Sequence, residues 1–160
     1  GDDVTYSGTV AGAYEGMLLG VTSFAISVVS RAPRFFSTAA WFAQKLAQRL
    51  LKKPELLPGG TLLNVNVPDI SKEEICGVKL TRMGKRDYQD EIIQRIDPRG
   101  VTYYWIGGAA PSHVREEGTD FDAIEKNCVS VTPLHRDLTC YEAFETIAAL
   151  LNWDEVQVCS

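Results

Sequence analysis

Three short apolar runs set the tightest limit on what this chain can fold into: Phe24-Ala25-Ile26-Ser27-Val28-Val29, Leu62 to Val67, and Cys128-Val129-Ser130-Val131-Thr132. Each has the length of a buried strand and is too short for a buried helix. The first is of the kind found in strands covered on both faces. The second alternates after Leu63 and stops at Pro68, and its two asparagines need partners if they are buried. The third is predicted to stop at Pro133.

Helical patterns lie between and around these runs. Ser7 or Gly8 can cap a helix from about Thr9 to Leu19, with Val10, Ala13, Met17 and Leu18 on adjoining parts of one face and Gly20 as the stop. Ser37 can cap a second, to about Lys52, in which Phe42, Leu46 and Leu50 are spaced by four and Arg49, Lys52 and Lys53 suit the negative end of the dipole. Thr119-Asp120-Phe121-Asp122 can cap a short third helix ending near Asn127. In Thr139-Cys140-Tyr141-Glu142 we expect a capping box, opening a helix with an apolar stripe of Tyr141, Phe144, Ile147, Ala148 and Leu151. Strands alternating with helices predict an α/β fold.

The middle, about 77–108, differs. Val78 to Arg82, Glu91 to Ile96 and Val101 to Ile106 are half-polar and separated by Gly, Pro and Asp, which predicts an antiparallel extension or arm. Asp97-Pro98-Arg99-Gly100 is a hairpin turn between the last two.

Composition excludes several functions. A net charge of -5 argues against binding a nucleic-acid polymer, which needs clustered Lys and Arg. Glu15 and its small neighbours interrupt the best candidate for the roughly 18 apolar residues of a membrane span, Val10 to Val29. Cys76, Cys128, Cys140 and Cys159 form no C-x-x-C pair, so we expect reduced thiols and a cytoplasmic protein, with Cys128 as a core residue and Cys159 at a frayed end. His113 and His135 have no ligand-like spacing, and there is no G-x-S-x-G elbow and no G-x-G-x-x-G fingerprint.

Tyr6-Ser7-Gly8-Thr9-Val10 is the segment best suited to chemistry. Two hydroxyls and a glycine stand at a helix start, where backbone N–H groups lack partners and the dipole favours anions. By itself such a segment is usually only a cap. Asp2-Asp3 invites a metal, yet adjacent aspartates on a strand point to opposite faces and more often form a solvated pair. The loop Gly107-Gly108-Ala109-Ala110-Pro111 is more often a simple turn than a ligand contact, and Arg82, Lys85 and Arg86 more often solvated surface than a phosphate-ester site.

Gly1-Asp2-Asp3-Val4-Thr5-Tyr6-Ser7-Gly8-Thr9-Val10-Ala11-Gly12-Ala13 with Glu15-Gly16, then Leu63 to Pro68, then Val129 to Leu134 with Asp137-Leu138-Thr139, closely resemble the SurE family of survival proteins. Tyr104 to Gly108 and Gly118-Thr119-Asp120 resemble the family's pattern as well. The resemblance implies a metal-dependent phosphatase, using Mg²⁺ or Mn²⁺, that hydrolyses nucleoside 5′- and 3′-monophosphates. It also implies a Rossmann-like three-layer α/β core with a β-hairpin arm and a C-terminal helix, in a homodimer or homotetramer with an exchanged C-terminal part. Ser7, Gly8 and Thr9 match the segment that lines the phosphate site. The family's metal ligands include an Asp-Asp pair on the first strand and an Asn in a glycine-rich segment whose last residue corresponds to Gly1. Asp2-Asp3 is therefore not that pair, and both metal and catalytic residues are expected upstream of Gly1. Residues 1–160 would be the C-terminal portion of one such domain, incomplete at its N-terminus and inactive alone. The alternative is a non-catalytic fragment that serves as an oligomerisation module through the arm and the last helix.

Overall fold

A computed structural model of the chain describes residues 1–87, 90–108 and 112–151. A 3-10 turn, Asp2–Tyr6, leads into α1 (Gly8–Leu18), followed by β1 (Phe24–Val29), α2 (Phe36–Lys52), β2 (Thr61–Pro68) and β3 (Gly77–Leu80). Then come β4 (Arg86–Asp87), β5 (Asp90–Ile96), β6 (Thr102–Gly108), β7 (Ser112–His113), α3 (Asp120–Glu125), β8 (Cys128–His135) and α4 (Phe144–Leu151).

The core sheet has the order β1-β2-β8-β3, with β1 parallel to β2, β8 antiparallel to β2, and β3 parallel to β8. Because successive side chains on a strand point to opposite faces, each strand feeds two layers. Val10, Ala13 and Met17 of α1 pack with Ala25, Leu62 and Leu134 on one face. Ala39 and Phe42 of α2 pack with Leu63, Val65, Val67 and Val129 on the other. The result is the expected three-layer α/β arrangement, helix on sheet on helix.

Ser7 caps α1, its Oγ accepting the Val10 N–H at 3.3 Å, and the helix starts at Gly8. Leu18 is exposed instead of sharing the packed face, since the buried positions follow the 3 and 4 spacing of Val10, Ala13 and Met17. The start of α2 departs from expectation: Phe35 is the N-cap, with no side-chain cap. The carboxylate of Asp69, just past β2, accepts the N–H groups of Arg34 and Phe35 at 2.9 Å each, and Thr38 donates to the Ile70 carbonyl at 2.9 Å. A distant acidic residue thus does what a local Ser37 cap would do.

Four other expectations change. First, β1 is only alternately covered, with Ala25 buried but Ser27 and Val29 exposed, because it has β2 as its single neighbour in the described sheet. Second, Val78 to Leu80 belong to the core sheet beside β8 and not to the arm. The antiparallel extension consists of the β5–β6 hairpin and the short β4–β7 pair.

Third, β8 continues through Pro133 to His135. Arg136 donates its N–H to Gly60 on the β2 side, so by alternation Pro133 turns its missing N–H to the other side, where β3 has already ended. Fourth, the segment Thr139 to Glu142 is not a capping box. The Thr139 N–H goes to Asp137 Oδ1 at 2.9 Å, a 3-10 turn spans Tyr141–Ala143, and α4 follows with none of its residues buried. A capping box does form at Ser71 and Glu74.

The hairpin turn forms as predicted: Gly100 has φ 80°, and Asp97 Oδ1 accepts the N–H groups of Arg99 and Val101 at 2.8 Å each. Cys128 is buried, whereas Cys159 and the loop residues Ala109-Ala110-Pro111 lie outside the described residues.

Candidate functional site

The site is built on the N-terminus of α1. Ser7 is in extended backbone (φ -83°, ψ 114°), its carbonyl accepts the Ala11 N–H at 2.9 Å, and its Oγ takes the Val10 N–H. The remaining first-turn N–H groups, those of Gly8 and Thr9, have no acceptor among the described residues and lie at the positive end of the helix. Gly8 and Thr9 are exposed and Ser7 half-buried. A Cβ added to Gly8 would meet nothing within 4 Å, so the space before the helix end is open. The structure thus brings Ser7, Gly8 and Thr9 together as an anion-ready end.

Beside it is a cavity of about 490 Å³, lined among others by Val4, Ser7, Tyr14, Met83, Leu134 and Leu138. Its rim is fixed by the Tyr14 hydroxyl, which donates to the His135 carbonyl at 2.9 Å. Ser7 belongs to both the helix end and the cavity wall, so a ligand with an anionic group and an apolar body would find both within one molecule's length.

Asp2 and Asp3 sit on a 3-10 turn, not a strand, and are engaged by protein groups. Asp2 Oδ1 accepts the Arg86 N–H at 3.1 Å, and Asp3 pairs with the Arg86 guanidinium. The basic group around Gly84 is likewise engaged, since Arg82 pairs with Glu116 at 2.8 Å and holds that carboxyl below its usual range. His113 stacks on Phe121 with ring centroids 4.5 Å apart and places Nε2 3.0 Å from Glu125. His135 accepts the Asp137 N–H on Nδ1 at 3.1 Å. Hydrogen bonds from the hydroxyls of Thr139 and Tyr141 hold the Asp137 carboxyl down at about 2.

No group of three His, Cys, Asp or Glu side chains that could hold a metal occurs among the described residues. A divalent ion does not fit the residues present, Asp2 and Asp3 included.

The buried carboxylate of Asp120 is what sequence patterns miss. It is 2% exposed, and its Oδ1 accepts the N–H groups of Gly84 at 2.9 Å and Phe121 at 3.0 Å. An acidic residue in the first turn of a helix looks like a routine dipole partner, and only the fold brings Gly84 to it.

Comparison with known proteins follows the same blocks. A family model described as survival protein SurE matches residues 1–90. The 5′-nucleotidase SurE of Coxiella burnetii is 48% identical over 149 residues, 93% of this chain and 57% of that protein. That of Methylococcus capsulatus is 48% identical over 151 residues, 94% of this chain and 59% of that protein. A crystal structure of the SurE protein from Aquifex aeolicus matches with a TM-score of 0.79 at 42% identity, over 95% of this chain and 60% of that one. The chain thus spans less than two thirds of the length of these relatives.

Proposed function

Since the chain belongs to the SurE family, we propose that the whole protein is a phosphatase that hydrolyses nucleoside 5′- and 3′-monophosphates. The observation that carries this is the end of α1: Gly8 and Thr9 offer backbone N–H groups into open space, and Ser7 keeps an O–H to donate after its lone pair has capped Val10. These three residues bind and orient the phosphate, and the neighbouring cavity gives room for the rest of the nucleotide.

The family resemblance supplies a divalent metal, Mg²⁺ or Mn²⁺, with its ligands and the catalytic residues ahead of the position of Gly1. The residues of this chain do not fit the ion, so their part is confined to binding phosphate. We take residues 1–160 as the C-terminal portion of one domain, and we place the protein in the cytoplasm on the strength of its free thiols at Cys76, Cys128 and Cys140. Exposed apolar side chains on the hairpin, Ile92 and Trp105 among them, and on α4 support a homodimer or homotetramer.

Phosphate release from nucleoside monophosphates by the whole protein, with Mn²⁺ or Mg²⁺, tests the proposal; no release from any of them would overturn it. The 160-residue chain by itself should release little. Strong release from it would refute the placing of the ligands ahead of Gly1. The assembly-module alternative predicts instead an oligomer, measured by light scattering, whose parent has no hydrolytic activity.

A further inference from the structure

We propose that Asp120 is a positioning residue for the phosphate end of α1. The inference rests on the assignment of Ser7, Gly8 and Thr9 to phosphate. A buried carboxylate is stable only when its oxygens are met by donors. Asp120 Oδ1 accepts from Gly84 and Phe121, and Oδ2 meets the Gly1 nitrogen. One oxygen therefore holds the loop at Gly84 and the start of α3, and the other holds the segment that runs into the site.

From Gly1 the connection to Ser7 is a short chain of hydrogen bonds. The Gly1 carbonyl accepts the Val4 N–H at 3.3 Å, and the Val4 carbonyl accepts the Ser7 N–H at 3.2 Å. A second strut runs in parallel: Gly84 accepts the Asp2 N–H at 3.0 Å, and Asp2 Oδ1 accepts the Arg86 N–H. The angle at which Ser7 enters α1, and so the direction of the Gly8 and Thr9 N–H groups, depends on where these struts end.

Two independent features show that the carboxylate is there for this link and not simply to cap α3. Thr119 already accepts the Asp122 N–H with its Oγ1, so α3 has its cap without Asp120. The backbone also closes tightly around the carboxylate. A Cβ on Gly1 would lie 2.5 Å from the Phe121 ring, and one on Gly84 would lie 2.5 Å from that ring and 3.2 Å from Asp120 Oδ1. Aspartate is the side chain that suits the place, because both its oxygens accept, whereas asparagine would set an NH₂ group against an N–H donor on one side.

The experiment is a titration of the full chain with inorganic phosphate, followed through the backbone amide NMR signals of Gly8 and Thr9, for the wild type and Asp120→Asn. Exchange protection of the Val65 and Val129 amides in the core sheet serves as a readout of the fold. We expect the wild-type signals to respond and Asp120→Asn to bind phosphate about tenfold more weakly, the order of one charge-assisted hydrogen bond, with sheet protection unchanged. Wild-type phosphate affinity in a folded Asp120→Asn overturns the inference and leaves the phosphate site standing. No response from wild-type Gly8 and Thr9 overturns the phosphate assignment itself and the inference with it. If Asp120→Asn loses sheet protection, Asp2→Ala, an exposed change on the second strut, decides: weaker phosphate binding supports the inference and unchanged binding overturns it.

Discussion

The Oγ of Ser7 accepts the N–H of Val10 at 3.3 Å, so one side chain both starts α1 and stands in the anion-ready end. Removing it should be felt twice. Ser7→Ala is expected to lower stability by about 1 kcal/mol, the usual size of a lost N-cap, and to weaken phosphate binding. Urea unfolding measures the first effect and phosphate titration the second. A loss of stability with unchanged phosphate affinity would reduce Ser7 to a cap.

Gly8 tests the open approach to the helix end. Its missing side chain leaves the space before the Gly8 and Thr9 N–H groups empty. Gly8→Val should abolish phosphate binding by filling that space, while α1 and the core remain folded. Isothermal titration with inorganic phosphate checks this, and binding equal to the wild type would place the anion elsewhere.

Asp137 predicts a pH response in the segment that follows β8. Its carboxyl titrates at about 2 in the folded chain against an ordinary 3.8, chiefly because the Thr139 and Tyr141 hydroxyls bond to the ionised form, the latter at 2.6 Å. A depressed pKa means that the stabilising contribution is fully present above the unfolded value and is lost as the pH falls from 3.8 through about 2. The Tyr141 ring and Thr139 amide signals should therefore change with a midpoint near 2 and not near 3.8, and Asp137→Asn should show no such transition.

Phe42 anchors α2 against Leu63, Val65 and Val67. Phe42→Ala should cost about 3 to 5 kcal/mol through lost burial and the cavity left behind. Denaturant unfolding measures it, and a loss under 1 kcal/mol would mean that α2 collapses onto the sheet without this ring.

Asp69→Ala should fray the first turn of α2, since the Arg34 and Phe35 N–H groups would lose their acceptor. Faster amide exchange confined to the start of α2 is the expected sign. Exchange unchanged there would show that water replaces the carboxylate at no penalty.

The residues that were legible beforehand share one property, that their partners are close in sequence. Ser7 and Val10 are three apart, as are Thr119 and Asp122, and the burial of Val10, Ala13 and Met17 follows from helical periodicity. The runs Phe24–Val29 and Thr61–Pro68 needed only their own apolar character to become β1 and β2. By itself, then, the sequence determined the strand and helix types, the cap of α1 and the grouping of Ser7, Gly8 and Thr9.

What only the tertiary structure decided lies in contacts between residues far apart. Val78 to Leu80 are half-polar, as arm strands are, and become core because β8 offers them an unpaired edge. Pro133 stays within a strand because β3 has ended beside it. Asp69 replaces the predicted cap of α2 across 35 residues, and Asp120 reaches Gly84 across 36. Local rules price a backbone N–H by its neighbours in the chain, whereas each of these groups is satisfied by a neighbour that only the folded sheet supplies.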